Sequence, residues 1–128
     1  MAIKIKPDYA GAHYNLGNAL QREGKNSEAI SHYKMAIKIK PDYAEAYNNL
    51  GNALLNKGRT SEAISHYKMA IKLNPDYAEA YINLGAVLLN ANMTEEAIDY
   101  FKEAIRIRPG LAAAQKNLET ALRSEELE

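Results

Sequence analysis

A fixed period constrains this chain more than any other feature. The segment Lys40-Pro41-Asp42-Tyr43-Ala44-Glu45-Ala46-Tyr47 returns 34 residues later as Asn74-Pro75-Asp76-Tyr77-Ala78-Glu79-Ala80-Tyr81, and prolines stand at 7, 41, 75 and 109. Self-similarity at such a spacing marks arrays in which one supersecondary unit cannot bury its apolar face alone and so stacks on its neighbours. Numbering each unit from 1 to 34, starting at the residue after Pro-Asp-Tyr, places repeats at 10–43, 44–77 and 78–111. The first two agree at 24 of 34 positions and the last two at 18. Residues 1–9 match 35–43 letter for letter, so the chain is expected to begin in the last turns of an earlier hairpin, as a piece of a longer array.

Each repeat carries two helical patterns. Tyr47, Leu50 and Leu54, with Ala46 and Ala53 on the neighbouring row, recur at the three- and four-residue intervals of a helix that buries one face. Ala63, Ile64, Tyr67, Ala70 and Ile71 repeat the spacing, and Gly58 between the runs supplies a stop. Asp42 and Asp76 are expected to cap the first helix, each with a glutamate three residues on (Glu45, Glu79) as in a capping box. Thr60 and Thr94 are expected to cap the second, with Glu62 and Glu96 favoured in its first turn by the helix dipole. Pro41 and Pro75 end the second helix, because proline has no N–H to give the next turn. Gly17, Gly51 and Gly85 at position 8, and Ala29, Ala63 and Ala97 at position 20, remove bulk where two helix backbones approach. The rings of Tyr33, Tyr67 and Phe101 at position 24 fill the adjoining gap.

These residues are those of the tetratricopeptide repeat, which the chain resembles over essentially its whole length. Leu-Gly at positions 7 and 8, Ala at 20, Tyr or Phe at 24, Ala at 27 and Pro at 32 agree in all three frames. Position 4 departs from that pattern, carrying His13, Tyr47 and Tyr81 instead of tryptophan, and position 11 carries leucine instead of tyrosine. The resemblance implies an all-α fold: a right-handed α-solenoid of antiparallel helical hairpins, lined on its concave face by the first helix of each repeat and commonly holding an extended peptide. The run Tyr47-Asn48-Asn49-Leu50-Gly51-Asn52 is further similar to repeats of O-linked N-acetylglucosamine transferases and related bacterial arrays, in which asparagine recurs at position 6.

Here position 6 is Asn15, Asn49, Asn83 and Asn117. Equal positions of a solenoid form a row, and the resemblance places this row on the inner surface. A carboxamide both donates and accepts, so a row of them can grip a peptide backbone whatever its side chains. Asparagine is a mediocre helix former, so four mid-helix copies call for a reason other than propensity. Around the row lie Asn18 and Asn52 at position 9, and Arg22, Asn56 and Asn90 at position 13. Tyr14 and Asn48 stand at the variable position 5, where side-chain preference would be tuned. Glu45 and Glu79 are read as caps. Some members of the family clamp a C-terminal carboxylate with basic residues. Asn18 and Asn49 stand at compatible positions, but Tyr14 and Asn83 occupy places that would need a cation, so no such clamp is expected.

Composition narrows the function classes. Sixteen basic and sixteen acidic residues leave no net field to attract nucleic acid or an acidic membrane. No run approaches the roughly 18 apolar residues of a membrane-spanning helix, and the N-terminus lacks a signal-peptide pattern, so a soluble, cytoplasmic protein is expected. There is no cysteine, which excludes disulfides and thiolate chemistry. No phosphate loop, paired buried acids or Ser-His arrangement is present, so no catalytic residue and no cofactor is expected. His32 and His66 share position 23 but lack a third ligand; they are read as exposed helix residues, and no metal site is expected. Lys34, Lys68 and Lys102, with Lys38, Lys72 and Arg106, are read as a solvated basic stripe.

The two ends differ. Residues 112–125 resume the first-helix pattern with Asn117 and Leu118 in frame, yet Glu119 replaces the glycine of position 8. A carboxylate there cannot lie under a packed helix, so this segment is expected to be a C-terminal capping helix, with 126–128 set aside as a tail of cloning origin. At the N-terminus, Ala12, Leu16 and Leu20 are expected to be partly uncovered. Three functions follow: a protein-interaction scaffold holding an extended peptide; a module that self-associates head to tail, its open N-terminal face meeting the C-terminal helix of the next copy; or the substrate-selecting arm of a larger enzyme such as a glycosyltransferase.

Overall fold

The 34-residue period becomes a period of helices. The computed structural model describes residues 9–127, which form seven α-helices and no strand: α1 (Tyr9–Arg22), α2 (Asn26–Ile39), α3 (Ala44–Asn56), α4 (Thr60–Leu73), α5 (Ala78–Asn90), α6 (Thr94–Ile107) and α7 (Ala112–Leu127). The chain divides into two compact units, Met1–Leu73 and Asn74–Glu128. In the first, α1 packs on α2, α3 on α4, and α2 on α3. In the second, α6 packs on both α5 and α7. The short turns 23–25, 57–59 and 91–93 make each pair an antiparallel hairpin. None of the described helices is long and apolar enough to cross a membrane.

Burial follows the periodicity. In the first unit Ala29, Tyr33, Ala36, Ala46, Ala53, Leu54, Ala63 and Ala70 are fully buried; in the second Ala80, Leu84, Ala97, Phe101, Ala104, Ala114 and Ala121 are. The small residues let the paired backbones close. A β-carbon on Gly17 would stand 2.6 Å from Cε1 of Tyr33, one on Gly51 2.7 Å from Cε1 of Tyr67, and one on Gly85 2.6 Å from Cε1 of Phe101. Each first helix therefore lies directly on the ring of its partner, a distance no other residue permits without movement.

The first helix of each hairpin ends in a Schellman motif. Arg59 N–H donates to the Leu54 carbonyl and Gly58 N–H to that of Leu55, both at 2.9 Å, and the matching pairs recur at Lys25/Leu20 with Gly24/Gln21 and at Met93/Leu88 with Asn92/Leu89. Gly24 and Gly58 meet the left-handed requirement with φ +79°, and Asn92 does so at φ 65°, asparagine being the next residue able to enter that region.

The helix starts differ from expectation. The flanking residues of α3 and α5 are Tyr43 and Tyr77, and neither makes a side-chain cap; Asp42 and Asp76 lie one residue further out. The first carbonyl taken into α3 is that of Tyr43, bonded by Ala46 and Tyr47 N–H, so the turn after the proline places the aspartate outside the helix. Thr60 and Thr94 are displaced the other way, each the first helical residue, since Ala63 and Ala97 bond the carbonyls of Arg59 and Met93. Glu79 closes no capping box: its carboxylate takes Nη1 of Arg108 at 2.7 Å, tying the start of α5 to the turn before α7. Glu62 instead is gripped by both arms of the Arg59 guanidinium, which holds its carboxyl below the usual range. Glu119 is exposed on α7, which runs on to Leu127.

Candidate functional site

Positions 6, 9 and 13 of a first helix are three and four residues apart, so they share one face. In the first unit that face joins residues of α1 and α3. Asn49 uses both amide hydrogens, donating to Oη of Tyr14 at 3.1 Å and to Oδ1 of Asn18 at 2.8 Å, while its own Oδ1 accepts from Nδ2 of Asn48 at 3.3 Å. Below it, Oη of Tyr33 lies 2.6 Å from Oδ1 of Asn18 and 2.7 Å from Oε1 of Gln21, so a single phenolic proton serves two carbonyls. Tyr67 makes the matching bond to Oδ1 of Asn52. Asn18, Gln21, Arg22, Asn49 and Asn52 together line a shallow hollow of about 350 Å³.

This network orients the amides. Asn18 Oδ1 spends both lone pairs on Tyr33 and Asn49, and Gln21 and Asn52 turn their oxygens to a tyrosine. What remains for the hollow is donors, the NH2 groups of Asn18, Gln21 and Asn52 and the guanidinium of Arg22, with one lone pair on Asn49. Burial pushes the Tyr67 hydroxyl up to about 12, and burial together with neighbouring Tyr14 raises that of Tyr33 further. Both hydroxyls stay protonated through the neutral range and go on holding the carbonyls inward.

Tyr33, Tyr67 and Gln21 were not among the residues the sequence singled out for this face. A signal for the first two is present: position 24 is tyrosine where position 9 is asparagine (Tyr33 with Asn18, Tyr67 with Asn52), and in the third repeat hydroxyl and amide are missing together, as Phe101 and Ala86. The ring was legible as core filler, but its hydroxyl passes through the core to the opposite face.

Other expected residues sit elsewhere. Asn48 is only 5% exposed, so it cannot present its side chain to a ligand as position 5 was expected to; it serves Asn49 instead. Tyr14 is half-buried, its ring 5.0 Å from that of Tyr43, and acts as acceptor for Asn49. Asn15 is exposed on α1 outside the hollow. Asn56 reaches back to Oδ1 of Asn26 at the start of α2. Asn83, Asn90 and Asn117 belong to the second unit, Asn90 exposed and the other two half-buried.

The histidines are also corrected. His32 and His66 are half-buried, not exposed, and each faces its own hairpin partner: position 23 meets position 4 as His13 with His32, Tyr47 with His66 and Tyr81 with Tyr100. Burial and the nearby Lys34 ammonium lower the pKa of His66. All six cations of the basic stripe are exposed.

Comparison with known proteins places this geometry. The family model described as TPR repeat matches residues 1–24, 22–58 and 51–92, and the model described as tetratricopeptide repeat matches 78–111. No curated protein matches the chain. Among solved structures, MamA is 30% identical with a TM-score of 0.87, over 95% of this chain and 71% of that one. The first TPR of Spaghetti (RPAP3), bound to the HSP90 peptide SRMEEVD, is 23% identical with a TM-score of 0.90, over 98% and 99%. The Sgt2 TPR domain from Aspergillus fumigatus is 24% identical with a TM-score of 0.88, over 94% and 81%.

Proposed function

The chain belongs to the tetratricopeptide repeat family, and we propose that it is a protein-interaction scaffold holding an extended segment of a partner on its first-helix face. The observation that carries this reading is the hollow between α1 and α3 with its oriented amides. Polar side chains locked by their neighbours lose little freedom when a ligand arrives, so their hydrogen bonds contribute more to affinity. Carbonyl oxygens of an extended peptide suit the donors of Asn18, Gln21 and Asn52, and Arg22 at the rim suits an acidic side chain. Asn15 and Asn56 would add amides beside the hollow in the first unit, and Asn83, Asn90 and Asn117 would offer them at the matching positions of the second unit taken by itself. A peptide held by the same fold, as in the Spaghetti domain, supports this use.

The test is a displayed library of extended peptides, with the most enriched binder titrated against wild type and Asn18→Ala/Asn49→Ala. The double variant is expected to bind at least about tenfold more weakly, the loss of roughly two net hydrogen bonds, while its melting temperature moves only a few degrees. Equal affinity, or a library without binders, overturns the reading.

A second reading, association between copies through the open face of α1, is favoured by one contrast. Leu16 is 46% exposed, whereas Leu50 at the same position of the next repeat is 1% exposed. Association would bury that apolar surface. Light scattering is expected to show a mass that rises with concentration and returns to monomer in Leu16→Glu; a constant monomer removes this reading.

A further inference from the structure

The position 4 and 23 pairs lie apart from the peptide face, and one of the three differs in kind. Tyr47 with His66 and Tyr81 with Tyr100 are ring contacts, at 5.7 and 6.1 Å between centroids. In the first hairpin both members are imidazoles, and Nδ1 of His13 stands 3.0 Å from Nδ1 of His32. The rings lie 5.2 Å apart and 26° from parallel, and the ring of Tyr9 meets that of His13 nearly at a right angle. Both histidines are half-buried.

We propose that His13 and His32 form a two-imidazole chelate for a borderline transition-metal ion, copper(II) or nickel(II), bridging α1 and α2. Metal–imidazole bonds run about 2.0–2.1 Å, so two donors on one ion are separated by about 2.9 Å at a right angle and about 3.4 Å in a tetrahedron. The 3.0 Å separation falls near the right-angle value, which belongs to the tetragonal geometry of these two ions. No group of three or more histidine, cysteine or acidic side chains that could hold a metal occurs among the described residues, so water completes the shell. In the metal-free pair one Nδ1 carries a proton and donates it to the other. Binding moves that proton to Nε2 of the same ring, leaving both Nδ1 lone pairs for the ion and releasing no proton from neutral histidines. The helices already hold the donors together, so the ion closes a ready-made clip instead of ordering a loop.

Melting with nickel(II) or copper(II) chloride tests this, because an ion bound to the folded state alone raises the transition. A rise of about 5 °C is expected at metal concentrations around tenfold above the dissociation constant. His13→Tyr and His32→Tyr are each expected to abolish the rise. His13→Tyr recreates the Tyr-over-His pair of the second repeat, which the folded chain already accommodates, and His32→Tyr installs the residue found at position 23 of the third. His66→Tyr is expected to keep the full rise, and magnesium to give none. Electron spin resonance of the copper complex is expected to show two equivalent nitrogens in wild type and in His66→Tyr, which reports the site whatever the stability of a variant. No shift in wild type, an equal shift in His13→Tyr, or a single-nitrogen signal overturns the chelate.

Discussion

Gly51→Ala is expected to lower the stability of the chain by about 2–3 kcal/mol, although alanine gains about 1 kcal/mol of helix propensity over glycine. The added methyl would stand 2.7 Å from Cε1 and 2.9 Å from Cδ1 of Tyr67, well inside van der Waals contact. Relief is hard to find. The ring is 1% exposed, Gly51 is itself buried, and the hydroxyl is tethered to Asn52, so the ring cannot swing out without giving up that bond. Separating α3 from α4 instead would open voids along the seam around Ala63 and Ala70, both fully buried. Denaturant unfolding measures the loss directly. A double-mutant cycle identifies its origin: combined with Tyr67→Leu, which removes the offending ring atoms, the alanine is expected to cost less than it does alone. Equal midpoints for Gly51→Ala and wild type would mean that the helices do not approach as closely as described.

Tyr67→Ala is expected to cost about 4 kcal/mol, the value for deleting a large buried ring from a core that cannot collapse around the gap. Tyr67→Phe is expected to cost only about 1 kcal/mol, because the ring stays and a single hydrogen bond is lost. The third repeat already carries that ring: Phe101 is fully buried against Gly85 with the same contacts that Tyr67 makes with Gly51. The gap between the two variants separates the two duties of the residue, filling the seam and orienting Asn52. Tyr67→Phe with Asn52→Ala reproduces the Phe101 and Ala86 pairing, and is expected to be less destabilised than the sum of its parts, since no amide oxygen is left without its donor. Additive costs, read from denaturant midpoints, would show that the hydroxyl and the amide act independently.

Much of the architecture was legible because it rests on local periodicity. Helix identity, the order of hairpins, the Gly58 stop, the proline ends and the seam of glycine against ring follow from residue type at fixed spacing, and a repeat presents that spacing several times over. Caps were less legible. A shift of one residue at Asp42 or Thr60 depends on how the chain leaves the preceding helix, which the capping residues do not encode. The asparagine face was legible as positions but not as chemistry. That Asn49 spends both amide hydrogens on Tyr14 and Asn18, and that Asn48 turns inward, depends on which side chains of α1 arrive beside α3.

The sequence by itself thus determined which residues share a helix face and which positions must be small, because these follow from covalent order and a period of 3.6 residues. Only the tertiary structure decided what each polar group does. His32 meets His13 and not His66, and the Tyr33 hydroxyl reaches Asn18 through the hairpin core, because partners for side-chain hydrogen bonds are chosen by contacts between helices rather than by spacing along one of them.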